Sequence, residues 1–251
     1  MSDTLLQQIG VLRSLAIYYA PGRIRRLRRF YSQFIVPGDL CFDVGAHVGN
    51  RVAAWRQLGA RVVAVEPQSV LVNWLKRIYR HSPAVTLVKS AVGAHSGQAM
   101  LRSDPLNPTV STLSDDWIAT VGRDASFAGV RWREAESVAV TTLDELIAEF
   151  GRPVLCKVDV EGYEAEALRG LSVPIRVISF EYIPAAIGVA LDSVRRLEEL
   201  GDYEYNWFRG ESHQFVSSHW LKPAELIDSL DRLSADRASG DIFARLVSVA
   251  D

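Results

Sequence analysis

The sequence predicts an α/β fold: a doubly wound, mostly parallel sheet of seven strands with an N-terminal helical extension. Three observations carry that expectation. From Asp39 onward, short apolar runs alternate with amphipathic segments, the pattern of βα units feeding a parallel sheet. A glycine-bearing turn, DVGAHVGN over residues 43–50, stands where the first apolar run gives way to a helix. Acidic residues, Glu66, Asp159 and Glu181, close three later apolar runs.

Taken in order, Leu5, Ile9, Leu12 and Ala16 recur with helical period, and Pro21-Gly22 breaks the chain before a second helix. Residues 1–36 are therefore read as the helical extension and 37–251 as the main domain. In the second helix five arginines, Arg23, Arg25, Arg26, Arg28 and Arg29, interleave with Ile24 and Leu27 and are followed by Phe30, Tyr31 and Phe34. The apolar stripe is expected on the core and the arginines in water. Contact of the arginines with a membrane surface or an anionic substrate is the alternative.

Residues 40–44 read as the first strand and 50–58 as a helix ending at Gly59; 61–65 follow as strand two. A helix with Leu71, Trp74, Leu75 and Ile78 on one stripe leads to a third strand at 85–88. Leu143, Leu146, Ile147 and Phe150 mark a helix that stops before Gly151 and Pro153, and 154–158 and 177–180 supply strands four and five. Leu191, Val194 and Leu197 mark a further helix, and 203–208 with 242–249 the last two strands. Between 103 and 136 the pattern dissolves into Pro, Ser, Asp and Gly around Trp117 and Trp132, which reads as a lid over the cofactor or substrate, with a disordered insertion as the alternative.

With 28 basic against 30 acidic side chains the net charge is −2, so a general electrostatic attraction to nucleic acid is not expected. Cys41 and Cys156 lie in apolar runs and read as buried thiols, which suits a reducing, cytoplasmic setting. The chain start lacks the charged-then-apolar pattern of a secretory signal, and no apolar run approaches the roughly 20 residues of a membrane span. Nothing in the sequence speaks to oligomeric state.

Ligands of such sheets sit outside the carboxyl ends of the strands, so the 43–50 turn marks a cofactor position. Gly45 and Gly49 are expected to let a ligand approach the backbone, and the start of the helix at Asn50 offers free N–H donors. Asp43 beside that turn favours a cationic ligand over a pyrophosphate, and His47 replaces the middle glycine of a dinucleotide fingerprint. Glu66, followed by Pro67, stands where an acid accepts hydrogen bonds from ribose hydroxyls. The combination fits S-adenosylmethionine better than a nicotinamide dinucleotide. A third element, KVDVEGYE over 157–164, carries Asp159 and Glu161 on what reads as one strand face, with Gly162 opening a helix and Glu181 ending the next strand. Like charges so close repel and raise each other's pKa.

Together, DVGAHVGN, the VEP of 65–67, SAVG at 90–93, TLDEL at 142–146 and KVDVEGYE resemble the FkbM family of S-adenosylmethionine-dependent methyltransferases, over roughly residues 38–182. The resemblance implies a class I methyltransferase sheet of seven strands, the last antiparallel, and O-methylation of sugar, glycolipid or natural-product hydroxyls. It implies that Asp43, Gly45, Ala46, His47, Gly49, Asn50, Glu66 and Pro67 surround the cofactor. Ser90 and Ala91 would lie near the adenine, Asp159 near the methionine part or the methyl group, and Ser111 of the STLS stretch nearby. His47 departs from the family, which commonly has asparagine there.

A hydroxyl acceptor must lose a proton, and Asp159, Glu161 and Glu181, or His213 and His219, are the candidate bases. No metal set is assigned, although a Mg²⁺-assisted variant would draw on the three acids. A nucleotide-dependent oxidoreductase on a Rossmann-like sheet and a non-catalytic binder of the same cofactor stay open as alternatives. Trp207, Phe208, Phe215 and Trp220 are candidates for an apolar acceptor wall or for core packing.

Overall fold

The computed structural model describes residues 3–233 and 238–248. Two helices, α1 (Asp3–Tyr18) and α2 (Arg23–Tyr31), precede β1 (Leu40–Val44), α3 (Asn50–Gln57), β2 (Arg61–Val65), α4 (Ser69–Tyr79) and β3 (Val85–Val88). A short strand β4 (Ala91–Val92) and β5 (Gly97–Ser103) lead through α5 (Asp115–Val121) to β6 (Glu134–Thr141). The chain then runs through α6 (Leu143–Phe150), β7 (Leu155–Val158), α7 (Glu164–Arg169), β8 (Val177–Tyr182) and α8 (Ile187–Leu200). It closes with β9 (Asp202–Arg209), α9 (Pro223–Leu233) and β10 (Gly240–Ser248). Val249, anticipated at the end of the last strand, lies outside the described residues.

Seven strands form one sheet in the order β3-β2-β1-β7-β8-β10-β9, and β10 runs antiparallel to both β8 and β9. The apolar runs explain it. All five residues of β1 are buried, as a central strand covered on both faces requires. Alternate residues then serve opposite layers. Phe42, Val44, Val63, Val65, Cys156, Val158, Ile178 and Phe180 meet Leu143, Leu168, Val194, Leu197 and Leu226 from the helices of one face. Cys41, Val62, Ala64, Leu155 and Val177 meet Leu27, Tyr31, Trp55 and Leu75 on the other. Both cysteines are free and buried. The α6 helix has the reciprocal cap its TLDEL sequence allows, Thr142 Oγ1 accepting from the Glu145 N–H while Glu145 reaches back to the Thr142 N–H.

The two helices of the extension treat their apolar stripes differently. Helix α2 buries Leu27, Phe30 and Tyr31 and exposes Arg25, Arg26, Arg28 and Arg29, as its stripe requires. Helix α1 is turned the other way: Leu5, Ile9, Leu12 and Ala16 are exposed, while Gly10, Val11 and Ser14 are buried. Small residues win that face because the neighbour is close. A Cβ on Gly10 would lie 2.5 Å from the Pro105 carbonyl oxygen.

Residues 103–136 also prove more regular than an open lid. They bridge the antiparallel pair β5–β6 of a second, three-stranded sheet, in the order β4-β6-β5. Ser114 caps α5 by accepting the Trp117 N–H at 3.0 Å, and Trp117 is 3% exposed. Its indole occupies the space beside Gly162, where a Cβ would fall 2.0 Å from the ring. The insertion is thereby wedged onto the loop after β7. That loop holds Gly162 at φ +86°, and α7 starts at Glu164 rather than at the glycine. Among the described residues, no helix is long and apolar enough to cross a membrane.

Candidate functional site

A cavity of about 220 Å³ opens outside the carboxyl ends of β1, β2, β7 and β8, where a doubly wound sheet places its ligands. The turn after β1 forms its floor. Gly45 sits at φ +81°, His47 at φ +50° and Gly49 at φ +79°. The left-handed backbone at position 47 is one that asparagine and histidine tolerate better than most residues, so His47 preserves the turn. The two glycines also serve packing. A Cβ on Gly45 would lie 1.9 Å from the Asp159 carbonyl oxygen, and one on Gly49 2.7 Å from Leu75.

Glu66 lies at the end of β2, 3% exposed, on the cavity wall. Its Oε2 accepts the His47 N–H and its Oε1 the Gln68 N–H, each at 2.9 Å. Burial pushes its pKa up to about 7 against those two hydrogen bonds. Each oxygen keeps a further lone pair, so the side chain can accept two hydroxyls. The His47 ring packs edge-on against Tyr18 at 5.3 Å, and burial drives its pKa down to about 4, so the imidazole is neutral.

On the cavity wall and just below it, four charges form a closed square. Lys157, fully buried in β7, lies 2.8 Å from Asp241 and 3.2 Å from Asp159. Arg51, at the start of α3, lies 3.4 Å from Asp159 and 3.6 Å from Asp241. Burial alone would raise the Asp159 pKa, but Lys157 and Arg51 more than offset it and hold it below its ordinary value. Asp43 is 1% exposed and does not line the cavity; neither of its oxygens has a hydrogen-bond partner among the described residues. Burial pushes it up to about 6, with Arg51 and Lys157 pulling back.

At the β7–β8 end, Asp159, Glu161 and Glu181 each offer an oxygen within 4.8 Å of the others. Strand alternation is not what brings them together, because β7 ends at Val158 and Glu161 reaches the cavity from a left-handed backbone at φ +53°. Burial first, and then the neighbouring carboxylates, lift Glu161 and Glu181 well above the usual carboxylate range. Glu181 Oε2 is buried without a hydrogen-bond partner among the described residues.

Of the residues anticipated from sequence, Gly45, His47, Asn50, Glu66, Pro67, Ser90, Ala91, Ser111, Asp159, Glu161 and Glu181 line this cavity, whereas Asp43, Ala46 and Gly49 lie behind it. His213 and His219 do not line it. His213 packs on Phe208 at 5.1 Å with Nδ1 2.8 Å from the Glu211 carbonyl oxygen, and His219 is exposed beside Ser217. Neither is placed to act as base. Phe208, Phe215 and Trp220 join the core with Phe30 and Phe243, and Trp207 joins the opposite layer, so the aromatic acceptor wall gives way to core packing. Sequence reasoning missed Tyr18, Arg51 and Asp241 on the cavity wall, and Lys157 below it. For Lys157 the signal was present: a lysine inside the apolar run VLCKV demands a buried counter-ion.

The donor set fits a cationic nucleoside. A buried carboxylate without a partner, Asp43, lies under the turn, and a second one with spare lone pairs, Glu66, lies on the wall. A sheet in this order, with its last strand antiparallel and its cavity at the strand ends, defines a class I methyltransferase. The model of the methyltransferase FkbM domain matches residues 43–214, more than half of the chain, and the protein belongs to the FkbM methyltransferase family. Its cofactor is S-adenosylmethionine, which decides against the oxidoreductase alternative.

A search of curated proteins finds no significant match. Solved structures are similar to the chain at low identity. A TehB-like S-adenosylmethionine-dependent methyltransferase from Corynebacterium glutamicum is 13% identical with a TM-score of 0.47, covering 93% of this chain and 94% of its own. Precorrin-6y C5,15-methyltransferase from Geobacter metallireducens is also 13% identical at 0.47, covering 88% and 86%. Fibrillarin from Aeropyrum pernix, solved with natively bound S-adenosylmethionine, is 11% identical at 0.45, covering 83% and 67%.

Proposed function

We propose that the protein methylates a hydroxyl group of a small molecule. The observation that carries this reading is the carboxyl pair Glu161 and Glu181 beside the cavity. Burial and crowding raise the pKa of both groups, and a carboxylate of raised pKa is a stronger base toward an alcohol than an ordinary one.

S-adenosylmethionine supplies an electrophilic methyl group on a sulfonium. Glu66 would accept its ribose hydroxyls, Ser90 and Ala91 would border its base, and the ionised Asp159 with buried Asp43 would favour its positive charge. Methyl transfer to oxygen is an in-line displacement, so rate comes mainly from holding the nucleophile close and aligned in a dry site. Trp117 wedged on Gly162 keeps the β7 loop and its Glu161 in one place. The Glu161–Glu181 pair would take the hydroxyl proton.

The experiment is formation of S-adenosylhomocysteine with a panel of hydroxyl, amine and thiol acceptors. Turnover confined to hydroxyls supports the proposal. Turnover confined to amines or thiols refutes it, and cofactor binding without turnover favours the non-catalytic alternative.

A further inference from the structure

The two N-terminal helices precede the segment that matches the family, and each leaves a feature that neither the core nor the cavity absorbs. The first is apolar. Leu5, Ile9 and Leu12 are 45%, 39% and 62% exposed on one face of α1, with Ala16 beside them, while the opposite face packs Val11 against Val48 and Leu71. A ridge of large aliphatic side chains in water is costly, at roughly 25 cal/mol per Å² of apolar surface left uncovered.

The second is charge. Residues 1–36 hold six arginines against one acid, Asp3, in a chain whose net charge is −2. Five of those arginines fall within α2, which has no acid at all. Among the described residues, none of the five pairs with a carboxylate; Arg28 reaches only the neutral Gln57, at 3.4 Å. Like charges three apart on a helix repel one another, so the helix keeps this cluster at a cost to its own stability.

The two features lie on consecutive helices joined by a four-residue turn, and the basic helix stands at the mouth of the site. Arg23 and Arg26 border a crevice with Tyr18, Asn50 and Glu211, and all three of those residues also line the cofactor cavity. Arginines alone would suit nucleic acid as well as lipid. An apolar ridge on the preceding helix has no counterpart in a phosphate backbone, whereas a bilayer surface offers anionic headgroups over an acyl layer.

We infer that α1 and α2 dock the protein on an anionic lipid surface, the arginines on the headgroups and the ridge at the acyl boundary. This does not rest on the acceptor being a hydroxyl compound. Sedimentation of the full chain with phosphatidylcholine vesicles, with and without phosphatidylglycerol, tests it. The wild type is expected to pellet with the anionic vesicles and to be released by high salt. Replacing Arg25, Arg28 and Arg29 by Gln should weaken partitioning about 100-fold, from about 1 kcal/mol for each charge near the surface. Replacing Leu5, Ile9 and Leu12 by Ser should weaken it about 10-fold or more, while S-adenosylmethionine binding, measured by calorimetry, stays as in the wild type and certifies the fold. Equal pelleting with both vesicle types, or unchanged pelleting of either variant, would overturn the inference. So would a ridge variant that converts a dimer to a monomer without loss of vesicle binding.

Discussion

At the β2 end of the cavity, the carboxylate of Glu66 is held by two backbone N–H groups, one on each oxygen. At the β7–β8 end, Glu161 and Glu181 crowd each other and Asp159, and one Glu181 oxygen is buried with no hydrogen-bond partner among the described residues. The same chemical group is thus pre-organised in one place and electrostatically strained in the other. Fixed acceptors suit a ligand that must be gripped in one pose, and a crowded pair suits a proton that must move. Between the two ends lies the buried square of Lys157, Arg51, Asp159 and Asp241, which holds the Asp159 pKa below its ordinary value while burial and crowding lift those of Glu161 and Glu181.

The sharpest way to break that contrast is to open the square. Lys157→Met leaves Asp241 and Asp159 with Arg51 alone, and chemical denaturation should show a loss of about 3–5 kcal/mol. An unchanged midpoint would mean that the buried charges do not depend on one another. At the strained end, Glu181→Gln and Glu161→Gln should each lower turnover about 100-fold while the affinity for S-adenosylmethionine changes little. Equal losses in rate and cofactor affinity would move those residues to the gripping end.

The pH dependence separates the two ends more gently. Asp43 at about 6, and Glu66 and Glu164 at about 7, all have folded pKa values raised by burial from ordinary values near 4. Groups raised in this way bind protons more tightly in the folded state. The stability they contribute is complete below about pH 4 and is lost as pH climbs through about 6 to 7. Thermal melts of the ligand-free protein should therefore fall across that window, and melts that rise there would contradict the burial argument. The smallest effect concerns metal. Lys157 and Arg51 already neutralise Asp159, so the three acids should not need a divalent ion, and a chelator should change turnover by less than about twofold.

Much of this was legible beforehand because parallel strands bring their carboxyl ends to one edge. Once residues 40–44, 61–65 and 154–158 read as strands, Glu66 and Asp159 had to meet near the 43–50 turn. Glu161 arrived at the expected place for a different reason, a left-handed backbone instead of strand alternation. The small sheet was not legible. GQAMLRS in β5 has no alternation, and β4 is only two residues long. The periodicity of α1 marked a helix but not its buried face, because an apolar stripe is buried only where a core receives it, and the close approach of Pro105 selects Gly10 instead. Tyr18 and Asp241 reach the cavity from elements far along the chain from its motifs, a placement that only the tertiary packing reveals.

The most direct measurement is titration calorimetry of S-adenosylmethionine into the wild type and into Glu66→Gln. One-to-one binding by the wild type, weakened about 10- to 100-fold in the variant, is the predicted result, from the loss of charge-assisted hydrogen bonds at one buried acceptor. Equal affinity in both proteins, or a wild type that binds a nicotinamide dinucleotide in place of S-adenosylmethionine, would contradict it.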